Sequence, residues 1–183
     1  DDSFWQEEGA AWKKFARAEH PTFWVKEGTQ WRLRLMLEEV PMPWDWPVET
    51  NCHEARAFCC WKAQATGQAV RLPTEDEWQA LRHFAGVGDL PGDLPGDLPG
   101  DPPVSANIEL SHYASSCPVT RFAHGALFDV VGNVWQWLET PTYPFDGFAV
   151  HPIYDDFTTP TFDDRHNLIK GGSWISCGNE ALP

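Results

Sequence analysis

The sequence predicts an α+β fold with little regular structure and long ordered loops, and three observations carry that expectation. Helix formers are scarce outside three segments, 16 prolines and 14 glycines interrupt the chain, and 11 Trp and 11 Phe stand against 3 Tyr and 2 Met. Trp and Phe bury much apolar area for each residue ordered, so they can anchor loops that no ladder holds. At 183 residues the chain is long enough for one core of ordinary size, and a single domain over 1–183 is expected.

The elements follow in order. Residues 3–19 place Phe4, Trp5, Trp12 and Phe15 among charges and predict an amphipathic helix that ends before Pro21. In the next stretch Trp31, Leu33 and Leu35 alternate with Gln30, Arg32 and Arg34 after a Glu27-Gly28 turn, which predicts a hairpin. Three prolines within VPMPWDWP keep that segment extended and out of any central strand or helix. Asn51 then caps a helix with Glu54 three residues on, Ala55, Phe58 and Cys59 share a face, and Gly67 stops it. AVRLP reads as a short strand-like link, and Thr74 with Glu77 marks the start of a further helix.

From Gly88 the tetrapeptide GDLP repeats three times, followed by GDPP. Pro removes backbone donors and Gly raises the entropic cost of order, so 86–103 is expected to be a solvated loop insertion without chemistry. The four aspartates of the repeat do not converge oxygens on one ion at that spacing. Beyond it, short apolar runs separated by Pro, Gly, Asn and Asp predict short strands joined by long loops, where functional residues tend to sit.

Charge restricts the partners. The net charge is −14, and beyond Arg82 only Arg121, Arg165 and Lys170 are basic. A nucleic-acid backbone and an anionic membrane surface both need clustered Lys and Arg, so neither is an expected partner. No apolar run approaches the roughly 18 residues that span a bilayer, and no stretch reads as a signal peptide, so a cytoplasmic setting is expected. The five cysteines form no even framework and no Cys-x-x-Cys pair, and read as buried small hydrophobes or loop thiols. The seven histidines offer no helical i, i+4 pair and no complete three-ligand metal site.

Three motifs, RLPTEDEW (71–78), FDVVGNVWQW (128–137) and LIKGGSW (168–174), resemble in order and spacing the formylglycine-generating-enzyme-like, or sulfatase-modifying-factor, domain family. The resemblance implies a compact fold related to C-type lectins. The stretches AEHPTFWV, EEVPMPWDWPVE, SSCPVTRFA and HPIYDDFTTPTFDDRHNLIKGGSWISCGNEA look most like the central domain of ovothiol-forming 5-histidylcysteine sulfoxide synthases. That branch implies Fe(II) and O2 chemistry that joins the cysteine sulfur to the histidine imidazole and oxidises the sulfur. It also implies a DinB-like domain whose histidines hold the iron, and a methyltransferase domain. The iron ligands are therefore expected outside this chain, which reads as a fragment incomplete at its C-terminus and inactive alone.

For the site, the resemblance implies an active-site tyrosine, with Tyr154 first and Tyr143 second, and substrate contacts from Asp155, Asp156 and Trp174. It further implies structural Ca2+ at Asn107, Ile108, Asp129, Gly132, Val134 and Gln136, with Asp129 in place of an amide and Gln136 in place of a carboxylate. Only Cys177 follows the GGSW motif, one position off the pattern of the formylglycine-generating branch, which argues against direct sulfatase modification. The alternatives are an ergothioneine-type synthase acting on hercynine and a thiol, or a lectin-like binding module without chemistry. In GNVWQW the small residues allow a tight turn, and Trp135 and Trp137 point to one side of an extended segment. Trp135 and Trp174 are expected to be buried.

Overall fold

The structure is a computed structural model, and it describes residues 1–87, 106–153 and 159–177. The GDLP repeat, and with it nearly all of the expected 86–103 insertion, lies outside the described residues. The two ends that flank this stretch, Val87 and Ala106, are buried in one cluster with Val130 and Val131.

Among the described residues, three α-helices and seven short strands make up the α+β fold. Helix α1 (Glu7–Ala16) is shorter than the 3–19 span of the pattern, because a 3-10 turn (Asp2–Phe4) precedes it and Arg17 ends it in the left-handed region at φ 52°. Strands β1 (Trp24–Glu27) and β2 (Gln30–Arg34) form the expected hairpin, with Trp24 opposite Leu33 and Lys26 opposite Trp31. A third strand, β3 (Glu39–Pro41), pairs along β2, and Pro41 fits there because the sheet order β1-β2-β3 leaves β3 at the edge. Trp24 packs edge-on against Trp31 and Trp44, with ring centroids 5.7 and 5.5 Å away.

Helix α2 (Cys52–Thr66) carries the full capping box read from Asn51 and Glu54, and Gly67 closes it at φ 67°. Its buried residue is Ala57, whereas Ala55, Phe58 and Cys59 border an open groove, so the face read as core is largely a surface face. Residues 69–73 form no strand, since the Pro73 carbonyl makes a single bond, to the Glu139 N–H, instead of a ladder.

Helix α3 (Glu75–Phe84) has a second capping box, from Thr74 and Glu77. Arg71 adds two bonds to the Glu77 carboxylate, at 2.6 and 2.7 Å. These bonds, with the Thr74 N–H, hold the Glu77 pKa at about 2, well below its ordinary value. A carboxylate whose folded pKa is depressed contributes stability above its unfolded pKa, and the contribution disappears as pH falls through the folded value. The difference in thermal stability between the wild type and Glu77→Gln is therefore expected to be full at neutral pH, to shrink below about pH 4.5 and to vanish near pH 2.

Strand β6 (Gln136–Pro141) pairs with β7 (Asn167–Lys170), and β4 (Ala123–His124) pairs with β5 (Leu127–Phe128) in a separate small ribbon. The most buried side chains are Trp78 of α3, Leu138 of β6, Val131, Asn107, Asn133 and Cys117. Among the described residues no helix is long and apolar enough to cross a membrane.

Candidate functional site

Strand β6 is the hub, because alternation along it sends successive side chains to two different helices. On one face Gln136 accepts a bond from the Trp78 indole at 3.0 Å, Leu138 is fully buried, and the Thr140 hydroxyl caps the Glu75 N–H at 2.9 Å. All of these ties run to α3. On the other face the Trp137 indole donates to the Thr50 carbonyl at 2.9 Å, and Glu139 pairs with Arg56 of α2 at 3.0 Å.

The two glycine-tryptophan motifs are joined through the loop at Asn107. Gly132 N–H donates to the Gly171 carbonyl (2.7 Å), Asn133 N–H to the Asn107 carbonyl (2.7 Å) and Trp174 N–H to the Asn133 carbonyl (3.1 Å). Gly132 is required on two counts: its φ is +79°, and an added Cβ would lie 2.6 Å from the Asn107 carbonyl oxygen. The Asn133 side chain uses all four of its bonding positions. It accepts from Cys117 N–H and Asn107 Nδ2, and donates to the Cys117 carbonyl and Asp129 Oδ2. Burial, followed by the Asp129 carboxylate, pushes the Cys117 thiol up to about 11, so it is an inert packing group.

This frame leaves a cavity of about 450 Å3 bounded by Val48, Glu49, Trp135, Trp137, Ile169 and Trp174. Trp135 and Trp137 do share a side, and Ile169, which pairs with Trp137 in the ladder, joins them. Trp135 and Trp174 are half-buried rather than buried, because their rings wall the cavity instead of filling the core.

Of the expected catalytic and substrate-contacting residues, the two that are described, Tyr143 and Trp174, are separated by this arrangement. Tyr154, Asp155 and Asp156 lie outside the described residues, and Trp174 is on the cavity wall. Tyr143 is about half exposed, and its hydroxyl donates to Glu75 Oε2 at 2.9 Å. The other oxygen of Glu75 holds Lys170 Nζ at 2.8 Å. Lys170 pairs with Gln136, and both lie on the α3 face, whereas Trp137 and Ile169 face the cavity. The hydroxyl of Tyr143 is thus tied to the opposite side of the β6–β7 ribbon from the cavity and Trp174. The bond to Glu75, and then its charge, raise the Tyr143 pKa, so the phenol is held protonated. Burial alone would raise the Glu75 carboxyl, but the bonds from Lys170 and Tyr143 outweigh it and the net shift is down.

Gln136, one of the residues expected to hold calcium, offers no free amide oxygen to that ion. An indole N–H can only donate, so the amide oxygen of Gln136 must face Trp78, and its amide nitrogen then donates to the carbonyls of Asp129 (2.8 Å) and Val130 (3.1 Å). A nitrogen donor therefore sits where a carboxylate would have to meet a cation. Asn107 and Asp129 each keep one buried Oδ1 without a hydrogen-bond partner, two side-chain oxygens where calcium takes six to eight ligands. Among the described residues no three His, Cys, Asp or Glu side chains form a group that could hold a metal ion. Adding a calcium chelator is expected to shift the melting temperature by less than about 1 °C, since only a ligand bound to the folded state stabilises it. A fall of several degrees, reversed by calcium, would contradict this.

Two features of the site have no local signature in the sequence. Glu49 was hidden in a proline-rich stretch with no periodicity to place it, and the Glu75–Tyr143 bond spans 68 residues. The amide of Asn133 was legible only as a turn residue.

Comparison with known proteins agrees with this architecture. The family model described as "Sulfatase-modifying factor enzyme 1-like domain" matches residues 3–181. A hercynine oxygenase of Mycolicibacterium smegmatis is 30% identical over 180 residues, which is 93% of this chain and 40% of that protein. An inactive C-alpha-formylglycine-generating enzyme 2 of Bos taurus is 29% identical over 141 residues, 70% of this chain and 38% of the relative. Ergothioneine biosynthesis protein 1 of Neurospora crassa is 36% identical over a shorter stretch of 46 residues, 25% of this chain and 5% of the relative. The chain thus spans about 40% of the length of the hercynine oxygenase it matches. With the family model covering nearly every residue, and helices and small antiparallel sheets arranged around the joined GNVWQW and KGGSW motifs, the chain belongs to the sulfatase-modifying factor enzyme 1-like family.

Proposed function

We propose that this chain is the substrate-side domain of an iron(II)- and O2-dependent sulfoxide synthase that joins a cysteine sulfur to the imidazole carbon of histidine, as in ovothiol formation. The likeness to a hercynine oxygenase over 93% of the chain carries the sulfoxide-synthase reading. The ovothiol assignment rests on the longer stretches around HPIYDDF and GGSW. Iron, when bound by a DinB-like domain of the same protein, would supply O2 activation. This chain would supply one wall of the pocket, through the aromatic cavity, and keep water from it. Tyr154 is the proposed proton or electron donor, with Asp155 and Asp156 as substrate contacts. The reaction balances as thiol plus imidazole C–H plus O2 giving the C–S-linked sulfoxide plus water: S–H and C–H are lost, four electrons reduce O2, and one of its oxygens stays on sulfur.

The test is to supply the protein that carries this domain with iron(II), O2, cysteine and either histidine or hercynine. Histidylcysteine sulfoxide identified by mass spectrometry supports the proposal, and no product despite iron loading overturns it. A product formed from hercynine but not from histidine would instead favour the ergothioneine-type reading, which the names of the relatives favour. The inactive bovine relative favours a module without chemistry, and inactivity with both acceptors is its signature. Tyr143→Phe is expected to cost less than about tenfold in rate, because its hydroxyl is committed to Glu75 on the far side of the ribbon, whereas losing a general acid or base costs 10²–10⁴-fold. A loss in that larger range would return Tyr143 to the site.

A further inference from the structure

We infer that a second cavity, of about 380 Å3 and lined by His112, Tyr113, Arg121 and Phe122, is a binding site for a small aryl carboxylate anchored on the Arg121 guanidinium. The chain carries a net charge of −14, yet no acidic side chain lines this cavity. Elsewhere the guanidinium groups are taken: Arg32, Arg34, Arg56, Arg71, Arg82 and Arg165 each meet a carboxylate or a carbonyl oxygen. Among the described residues the Arg121 side chain makes no hydrogen bond or ion pair, so its planar fork of N–H donors is open to a ligand.

The wall around it is fixed in advance. The His112 ring packs on buried Phe122, with centres 5.0 Å apart. The loop that carries His112 and Tyr113 is pinned by bonds from Glu109 N–H to the Ser176 carbonyl and from Leu110 N–H to the Trp174 carbonyl, at 3.0 and 2.9 Å. Glu109 and Leu110 both take left-handed backbone angles, φ 57° and 58°, a strained pair directly ahead of the lining residues. On the other side Arg121 N–H closes a turn on the Pro118 carbonyl, and Asp129 N–H bonds to the Phe122 carbonyl, each at 3.0 Å. Donors held in this way lose little freedom when a ligand arrives.

The donor count selects the ligand. The Arg121 fork can give two parallel N–H bonds, the Tyr113 hydroxyl one and an imidazole N–H of His112 one, which matches the four or so lone-pair positions of a carboxylate. One guanidinium also balances one negative charge, whereas a phosphate dianion would bring an uncompensated charge to a protein that is already strongly negative. A carboxylate group fills only part of the cavity, and the remaining wall is the rings of Tyr113, His112 and Phe122, which favour an aromatic body on the ligand.

This cavity shares no lining residue with the one beside β6, so the inference and the proposed oxygen chemistry can fail independently. Phenylacetate, its neutral analogue phenylacetamide, and acetate are the probes, titrated into the protein by calorimetry at fixed ionic strength. Saturable binding of phenylacetate is expected, at least about tenfold tighter than either of the other two. Arg121→Gln is expected to weaken it at least about tenfold and Tyr113→Phe about fivefold. Arg121 is exposed and bears no described side-chain bond, and the thermal melt of each variant checks that it folds. No saturation by about 50 mM phenylacetate, equal binding of the amide or of acetate, or unchanged affinity in folded Arg121→Gln each overturns the inference.

Discussion

Replacing Asn133 by Ala is expected to destabilise the protein by about 3–4 kcal/mol. The side chain is fully buried and makes four hydrogen bonds, to Cys117 N–H, the Cys117 carbonyl, Asn107 Nδ2 and Asp129 Oδ2. Each buried polar group left without a partner costs roughly 1–3 kcal/mol, and because the four share one network their costs do not simply add. The backbone adds to this: Asn133 sits at φ +65°, where Asn is tolerated far better than Ala. Denaturant titration gives the magnitude, and thiol labelling gives the location, since Cys117 is buried and protonated in the wild type and should become reactive in the variant. A loss below about 1 kcal/mol would mean that water replaces the amide without penalty.

Trp78→Ala is expected to cost about 3–5 kcal/mol, as truncation of a large core side chain does. Trp78 is 1% exposed, and the Arg82 guanidinium lies 5.6 Å from its ring centre. Its indole N–H also fixes the orientation of Gln136, and through it the carbonyls of Asp129 and Val130. Trp78→Phe separates these contributions: it keeps most of the apolar area but leaves the Gln136 oxygen without a donor, for an expected cost of about 1–2 kcal/mol. Equal losses for Phe and Ala would show that the hydrogen bond, and not the packing, dominates.

What could be read from the sequence was what is local. Both capping boxes, the Gly67 stop and the β1–β2 hairpin depend on residues within a few positions of one another, and the structure has them all. The GNVWQW motif was equally legible, because the positive φ and the close approach of the Asn107 carbonyl at Gly132 both call for glycine. What could not be read depends on partners distant in sequence. Edge strand β3 opens a proline-rich run that looks merely extended, and only its register with β2 makes it a strand. The half-burial of Trp135 and Trp174 follows from where residues 48–50 cross the end of β6, which no periodicity encodes. Tyr143 looked like a loop residue free to reach a substrate until Glu75, anchored by Lys170, was seen to hold its hydroxyl.

In the proposed reaction O2 supplies the sulfoxide oxygen. The most direct measurement runs the protein that carries this domain with iron(II), cysteine and histidine under 18O2 and examines the product by mass spectrometry. The predicted result is a C–S-linked sulfoxide with one 18O atom on sulfur and none formed under nitrogen; a product without the label, or one that forms equally without O2, would contradict it.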